Sequence, residues 1–200
     1  MYREITGSLG LNGPVIVRKS PSELDKMRIA GLLVHQILGK LSEMVAEGGN
    51  TYDLEVAAAK MMEDAGAKPA FKNYKPSSAS IPCPYVICAS VNDEIVHGMP
   101  SKTRALKKGD IVSLDTGLSL NGYFGDSAVT VPVGEPSDEV RKLLRVTRES
   151  LDLAIEQMRP GNRLSDVCGA VESHVTANGF SVVREMVGHG IGTKLHEEPQ

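Results

Sequence analysis

The sequence predicts a mixed α/β domain of the α+β kind, with helices packed on an antiparallel sheet. Three observations carry that expectation. The hydrophobic period changes along the chain from helical to strand-like and back to helical. The stretch "LDTGLSLNGYFGD", Leu114 to Asp126, reads as two strands joined by an Asn-Gly turn. A shift of 113 residues places Asp53 on Asp166, Ala57 on Ala170 and Gly66 on Gly179, with a Gly-Asn pair before each helix at 49–50 and 161–162. Each copy is then a long helix, a Gly-Asn turn, a shorter helix and strands, the order a two-fold repeat gives; coincidence between two common helix pairs with Gly stops is the alternative.

The first element runs from the Ser-Pro-Ser cap region near Ser20 toward Gly48-Gly49, with Met27, Ala30, Leu33, Ile37 and Leu41 at three- and four-residue steps. A second helix starts at Thr51 as N-cap and stops at Gly66. Met61 and Met62 fall in its helical pattern and read as core. From Pro69 to Pro84 the chain is a Pro/Ser loop without period. "YVICASV", "EIVHGM", "DIVSLDTGLSL" and "DSAVTVPVG" then read as strands, since each is short, rich in β-branched residues and bounded by turn signals. Helical periodicity returns at "SDEVRKLLRVTRESLDLAIEQM" and "LSDVCGAVESHVTANG", before a final extended piece and a Gly-rich loop. His35 and His174 lie inside helical patterns and read as structural.

Composition narrows the function classes. Two hundred residues, 41% hydrophobic and 24% charged, suffice for a core without disulfide or metal staples. A net charge of -3 with mixed signs gives no footprint for nucleic acid or a membrane surface. Cys83, Cys88 and Cys168 are odd in number and match no zinc or disulfide spacing, so they read as free thiols of an unexported, cytoplasmic chain. A Walker loop, a nucleophile elbow and a dinucleotide fingerprint are all absent from the sequence. Cys88 sits in an apolar strand, where a small buried hydrophobe is the better reading than a nucleophile.

The Asn121-Gly122 hairpin carries the chemistry. With a two-residue turn, residue 120 pairs with 123, 117 with 126 and 115 with 128, which puts Asp115 and Asp126 on one face as diagonal neighbours roughly 7–8 Å apart. Two such carboxylates repel each other, and a cation between them offsets the repulsion. The loop "VGHGIGTKLHEEP" adds His189 and His196, whose glycine neighbours let the backbone bend toward another segment. A mixed Asp/His set suits Mn, Fe, Co or Zn. His97, in "VHGMP", stands where Gly98 and Pro100 cut off a strand, well placed to rim a cleft.

Together, "SVNDEIVHGMP", "LDTGLSLNGYFGDSAVTVPVG" and "VVREMVGHGIGTKLHEEPQ" resemble the type I, bacterial kind of methionine aminopeptidase, over about Lys19 to Gln200. The resemblance implies the pita-bread fold: two pseudo-symmetric halves with helices outside a curved antiparallel sheet. A tail over 1–18 would precede a peptidase domain over 19–200. It further implies removal of the initiator methionine from nascent proteins, through attack of a hydroxide held by two divalent ions (Co, Mn, Fe or Zn). Matched residue by residue, Asp115, Asp126 and His189 correspond to metal ligands. His97 and His196 correspond to histidines that contact the substrate peptide. Tyr74, Cys88 and Leu195 fall near positions that line the methionine pocket, although Leu195 stands where an aromatic is common.

Two further ligands, both glutamates downstream of "HEEP", are expected in the family, and Gln200 precedes both. Glu197 and Glu198 do not match them. The expectation is therefore a C-terminally truncated second half, a weakened metal set and impaired activity of the 200-residue chain, with a monomer at full length. Partners implied are nascent polypeptide N-termini near the ribosome, without nucleic-acid sequence recognition or membrane. A prolidase or Xaa-Pro aminopeptidase is the alternative enzyme, disfavoured by the short spacing from His189 to His196. A non-catalytic peptide-binding module of the same fold is the alternative outside enzymes, disfavoured by the retention of Asp115, Asp126 and His189.

Overall fold

The computed structural model describes residues 16–75 and 80–199. Most of the expected 1–18 tail, positions 76–79 of the Pro/Ser loop and Gln200 lie outside the described residues. The elements in order are α1 (Pro21–Met44), α2 (Thr51–Asp64), β1 (Lys68–Pro69), β2 (Ile87–Val91), β3 (Ile111–Leu120), β4 (Tyr123–Pro132), α3 (Asp138–Gln157) and α4 (Leu164–Ala177). They form two units, one of the residues through Gly134 together with those from Gly188 on, the other of residues 135–187. No helix among the described residues is long and apolar enough to cross a membrane.

In the larger unit, α1 starts with a capping box. The Ser20 hydroxyl accepts from the Glu23 amide and the Glu23 carboxylate accepts from the Ser20 amide at 2.7 Å, while Pro21 occupies a position whose amide needs no partner. Its buried stripe is Ala30, Val34, Ile37, Leu38 and Leu41. It keeps Ala30, Ile37 and Leu41 of the sequence reading and adds Val34 and Leu38, while Met27 and Leu33 are only half-buried at its border. The cap of α2 is Asn50, which accepts from the Asp53 amide at 3.0 Å, and not Thr51. Thr51 is buried because its hydroxyl is taken by the Ser101 amide at 2.9 Å.

All strand pairs are antiparallel, with β3 bonded to β4 along one edge and to β2 and β1 along the other. The hairpin register is the expected one: Leu120 opposite Tyr123, Gly117 opposite Asp126, Asp115 opposite Ala128. Asn121 and Gly122 both have positive φ, 54° and 83°, as a tight hairpin of matching twist requires. Along β3, Val112, Leu114, Thr116 and Leu118 are buried, and the aliphatic ones join α1, α2 and β2 in one core. The alternate positions, including Asp115, face the other way.

One expected strand is absent. "EIVHGM" forms a turn and loop, because Glu94 folds back to accept from the Val91 amide at 2.8 Å and Asn92 adopts φ 59°. Gly98 then lies flat on β2, where a Cβ would meet the backbone of Ala89 and Ser90. The extended piece expected after Gly179 joins no strand either, and the Gly-rich loop contributes only the isolated bridge between Gly190 and Glu197.

The smaller unit is the α3–α4 pair. Ser137 caps α3 by accepting from the Val140 amide at 3.3 Å, and Asp166 accepts from the Arg163 amide at 2.7 Å at the start of α4. His174 bonds Glu149 at 2.9 Å, the structural role expected of it. The repeat reappears in the element bounds. Adding 113 to 51 and 64 gives 164 and 177, the bounds of α4, and adding it to 44 gives 157, the end of α3. Gly66 and Gly179 follow the two short helices with positive φ.

Gly125 holds β4 against α1, since a Cβ there would lie 2.8 Å from the Ala30 carbonyl carbon and the Gly31 nitrogen. Gly125→Ala must push helix and sheet apart. Urea denaturation is expected to show a loss of about 1–3 kcal/mol.

Candidate metal and peptide site

The site is built on the sheet face turned away from α1 and α2. On it, β3 presents Ser113, Asp115 and Gly117 beside Thr130, Ala128 and Asp126 of β4. Ser113 and Thr130 share a hydroxyl–hydroxyl bond of 2.8 Å. Cys88 of β2 pairs with Asp115 and shares this face. Burial, then the Asp126 charge, pushes the Asp115 carboxyl up to about 7, with His189 opposing. Burial also raises Asp126, against the pull of His189 and His196. Burial and the neighbouring Asp115 push the Cys88 thiol up to about 12, so it stays protonated and unreactive, as its apolar strand suggests.

The loop from Gly188 brings two imidazoles to these carboxylates. His189 Nε2 lies 3.7 Å from Asp126 Oδ2, while its Nδ1–H donates to the Gly190 carbonyl at 2.9 Å. That second bond orients the ring so that Nε2 is the nitrogen on the carboxylate side. The His196 ring stands edge-on to His189 at 4.5 Å between centroids. Burial, then the nearby His189, lowers the His196 pKa, so the ring is neutral at pH 7. Tyr74, half-exposed, places its ring 5.7 Å from His196. Leu195 is buried beside them in sequence. The Phe124 amide donates to the Gly192 carbonyl at 2.8 Å, docking the loop two residues before Asp126.

Two half-buried carboxylates, both raised by burial and Asp115 also by the Asp126 charge, faced by an imidazole nitrogen, are a donor set that fits a divalent cation. Among the described residues no three His, Cys, Asp or Glu side chains stand at finished metal-holding spacing. His97 is positioned separately, by β2. Its backbone is in the left-handed region, φ 60°, and is held there through Gly98, whose amide donates to Ser90 Oγ at 3.0 Å and whose carbonyl accepts from the Ala89 amide at 2.8 Å.

Sequence reasoning does not reach Ser90 or Glu55. Glu55 is buried on α2, and its carboxylate accepts from the Val86 and Ile87 amides at 2.9–3.0 Å, pinning the start of β2 one residue before Cys88. The available signal is a carboxylate inside the apolar stripe of Leu54, Ala58 and Met62. Ser90, in an apolar strand, offers no comparable signal.

Residues 25–200 match the model of metallopeptidase family M24. The chain belongs to the M24 metallopeptidase family. Within it, methionine aminopeptidase 1 of Bacillus subtilis is 46% identical over 186 residues, 93% of this chain and 72% of that protein. The structure of methionine aminopeptidase from Thermotoga maritima superposes with a TM-score of 0.86 at 42% identity, over 93% of this chain and 72% of that one. Prolidase from Pyrococcus furiosus, at 22% identity and a TM-score of 0.77, shares the fold alone. This M24 chain therefore has the pita-bread α/β fold and is a metal-dependent hydrolase of the methionine aminopeptidase branch.

The carboxylate pair gives the metal-free M24 chain a stability that depends on pH. Between about pH 4 and 7 the native Asp115, titrating near 7, binds a proton that an unfolded Asp with its ordinary pKa of 3.8 has lost. Stability should fall as pH rises through that window, by on the order of 3–4 kcal/mol. Chemical denaturation of chelator-treated protein at pH 4.5 and 7.5 measures the slope, and Asp115→Asn should flatten it.

Proposed function

We propose that the protein removes the N-terminal methionine from polypeptides, with Asp115, Asp126 and His189 holding two divalent ions, Co, Mn, Fe or Zn. The observation that carries this reading is the shared sheet face of the two carboxylates with His189 turned to it, in a chain 46% identical to a methionine aminopeptidase. The ions, when bound, lower the pKa of water and polarise the carbonyl after the methionine. His189, through its bond to Gly190, turns Nε2 toward Asp126. His196, neutral, donates a hydrogen bond to the oxygen where negative charge develops. His97, on its strained loop, faces the scissile amide nitrogen.

Tyr74, Cys88 and Leu195 line the methionine pocket in this reading. A protonated, uncharged Cys88 thiol is a suitable neighbour for a thioether, because it adds polarisable surface without a buried charge. The pita-bread domain begins at Lys19 after the tail over 1–18. Its substrates are nascent chains in the cytoplasm, met near the ribosome by a monomeric enzyme.

The test is selectivity. With Mn or Co supplied, a chain extended to the length of its curated relatives should release methionine from Met-Ala-Ser and leave Ala-Pro peptides intact; the reverse preference overturns the reading in favour of a prolidase. His196→Ala and His97→Ala should each lower kcat by about 10²-fold or more, and full turnover by either variant removes that histidine from the mechanism.

A further inference from the structure

We propose that Glu197 and Lys19 are positioning residues, an ion pair that holds the loop carrying His189 and His196 in register with Asp126. The inference rests on the reading of these residues as the catalytic cluster, and it assigns a role to the one acidic side chain next to His196 that ligates nothing.

The loop is built around the Glu197 carboxylate. One oxygen accepts from the Lys194 amide at 3.1 Å and the Thr193 hydroxyl at 3.3 Å. The other takes the Lys19 ammonium in a pair whose side chains are only 12% and 11% exposed. The Glu197 amide donates to the Gly190 carbonyl at 2.8 Å, closing the loop between the residue after His189 and the residue after His196. A Cβ on Gly192 would collide with both the Lys19 and Glu197 side chains, so the loop is packed down on the pair itself.

Lys19 ties this hub to a distant part of the chain. It precedes Ser20, the cap of α1, and also donates to the Val17 carbonyl at 3.0 Å. Glu23, in the first turn of α1, accepts from the Tyr123 hydroxyl at 3.0 Å, next to Phe124, whose amide holds the loop at Gly192. The loop is therefore clamped from two sides, by β4 through backbone and by the residues before α1 through the ion pair. Cutting one partner of a shielded pair leaves the other charge uncompensated. The loop must then open to let water reach it, and both imidazoles move with the loop.

The experiment compares Glu197→Gln, which keeps an acceptor for Lys194 and Thr193 but loses the charge, with Lys19→Met, which keeps the aliphatic packing, and with the double variant. Histidine ring resonances are recorded on metal-free protein, and Co(II) affinity, the visible spectrum of the Co(II) form, kcat and KM on loaded protein. The rings of His189 and His196 should shift or broaden in both single variants while those of His35 and His174 stay in place. Co(II) affinity or kcat should drop by about 10-fold, with the double variant no worse than the worse single one. Unmoved His189 and His196 rings in folded variants overturn the proposal. Shifted rings in a protein whose unmutated form binds no Co(II) support the positioning role and instead overturn the metal assignment, so the two failures are distinguishable.

Discussion

Side-chain alternation in the β3–β4 hairpin is the constraint on which the rest depends. Leu114 and Leu118 point into the core with α1, and Asp115 and Asp126 consequently point out of the other face. A slip of one residue would exchange them, placing aliphatic groups in the site and two carboxylates under the helix. The hydrophobic cost of that exchange locks the register, and the left-handed pair at Asn121 and Gly122 is the turn that permits it. Apolar packing on one face thus enforces an electrostatically unfavourable arrangement on the other.

That arrangement needs support from every neighbouring element. Gly125 lets β4 approach the α1 backbone closely, so the hairpin has a rigid backing. Glu55 reaches from α2 to fix the start of β2, and Ser90 in the same strand holds the Gly98 peptide that presents His97. The loop after Gly188 arrives with its own backbone bonds and a shielded ion pair. Apart from the close approach at Gly125, each support is polar and buried or nearly so. Buried hydrogen bonds of this kind are costly to leave unmade, which gives the site one arrangement instead of several.

The repeat shows the same scaffold used for two purposes. The helix α2 and its counterpart α4 have the same length and the same acidic residue in the first turn, Asp53 and Asp166. Yet the position of Glu55, which feeds β2, is occupied 113 residues later by the exposed Cys168. A common skeleton follows from shared helix lengths and stops, while the polar groups that serve a site diverge wherever no strand needs them.

Periodicity and turn chemistry, both local properties, were sufficient to read the helices, the hairpin register and the shared face of Asp115 and Asp126 from the sequence by itself. They also placed His189 and His196 together on a glycine-rich loop. Tertiary structure alone decided that "EIVHGM" is a loop, because Glu94 and Gly98 find partners on β2 that outweigh the β propensity of Ile95 and Val96. It moved the α2 cap to Asn50, because the Thr51 hydroxyl is consumed by Ser101, 50 residues away. Lys19 and Glu197, 178 residues apart, were paired by the same means. Contacts between residues so distant leave no pattern along the chain; they exist only once the hydrophobic core has brought the segments together.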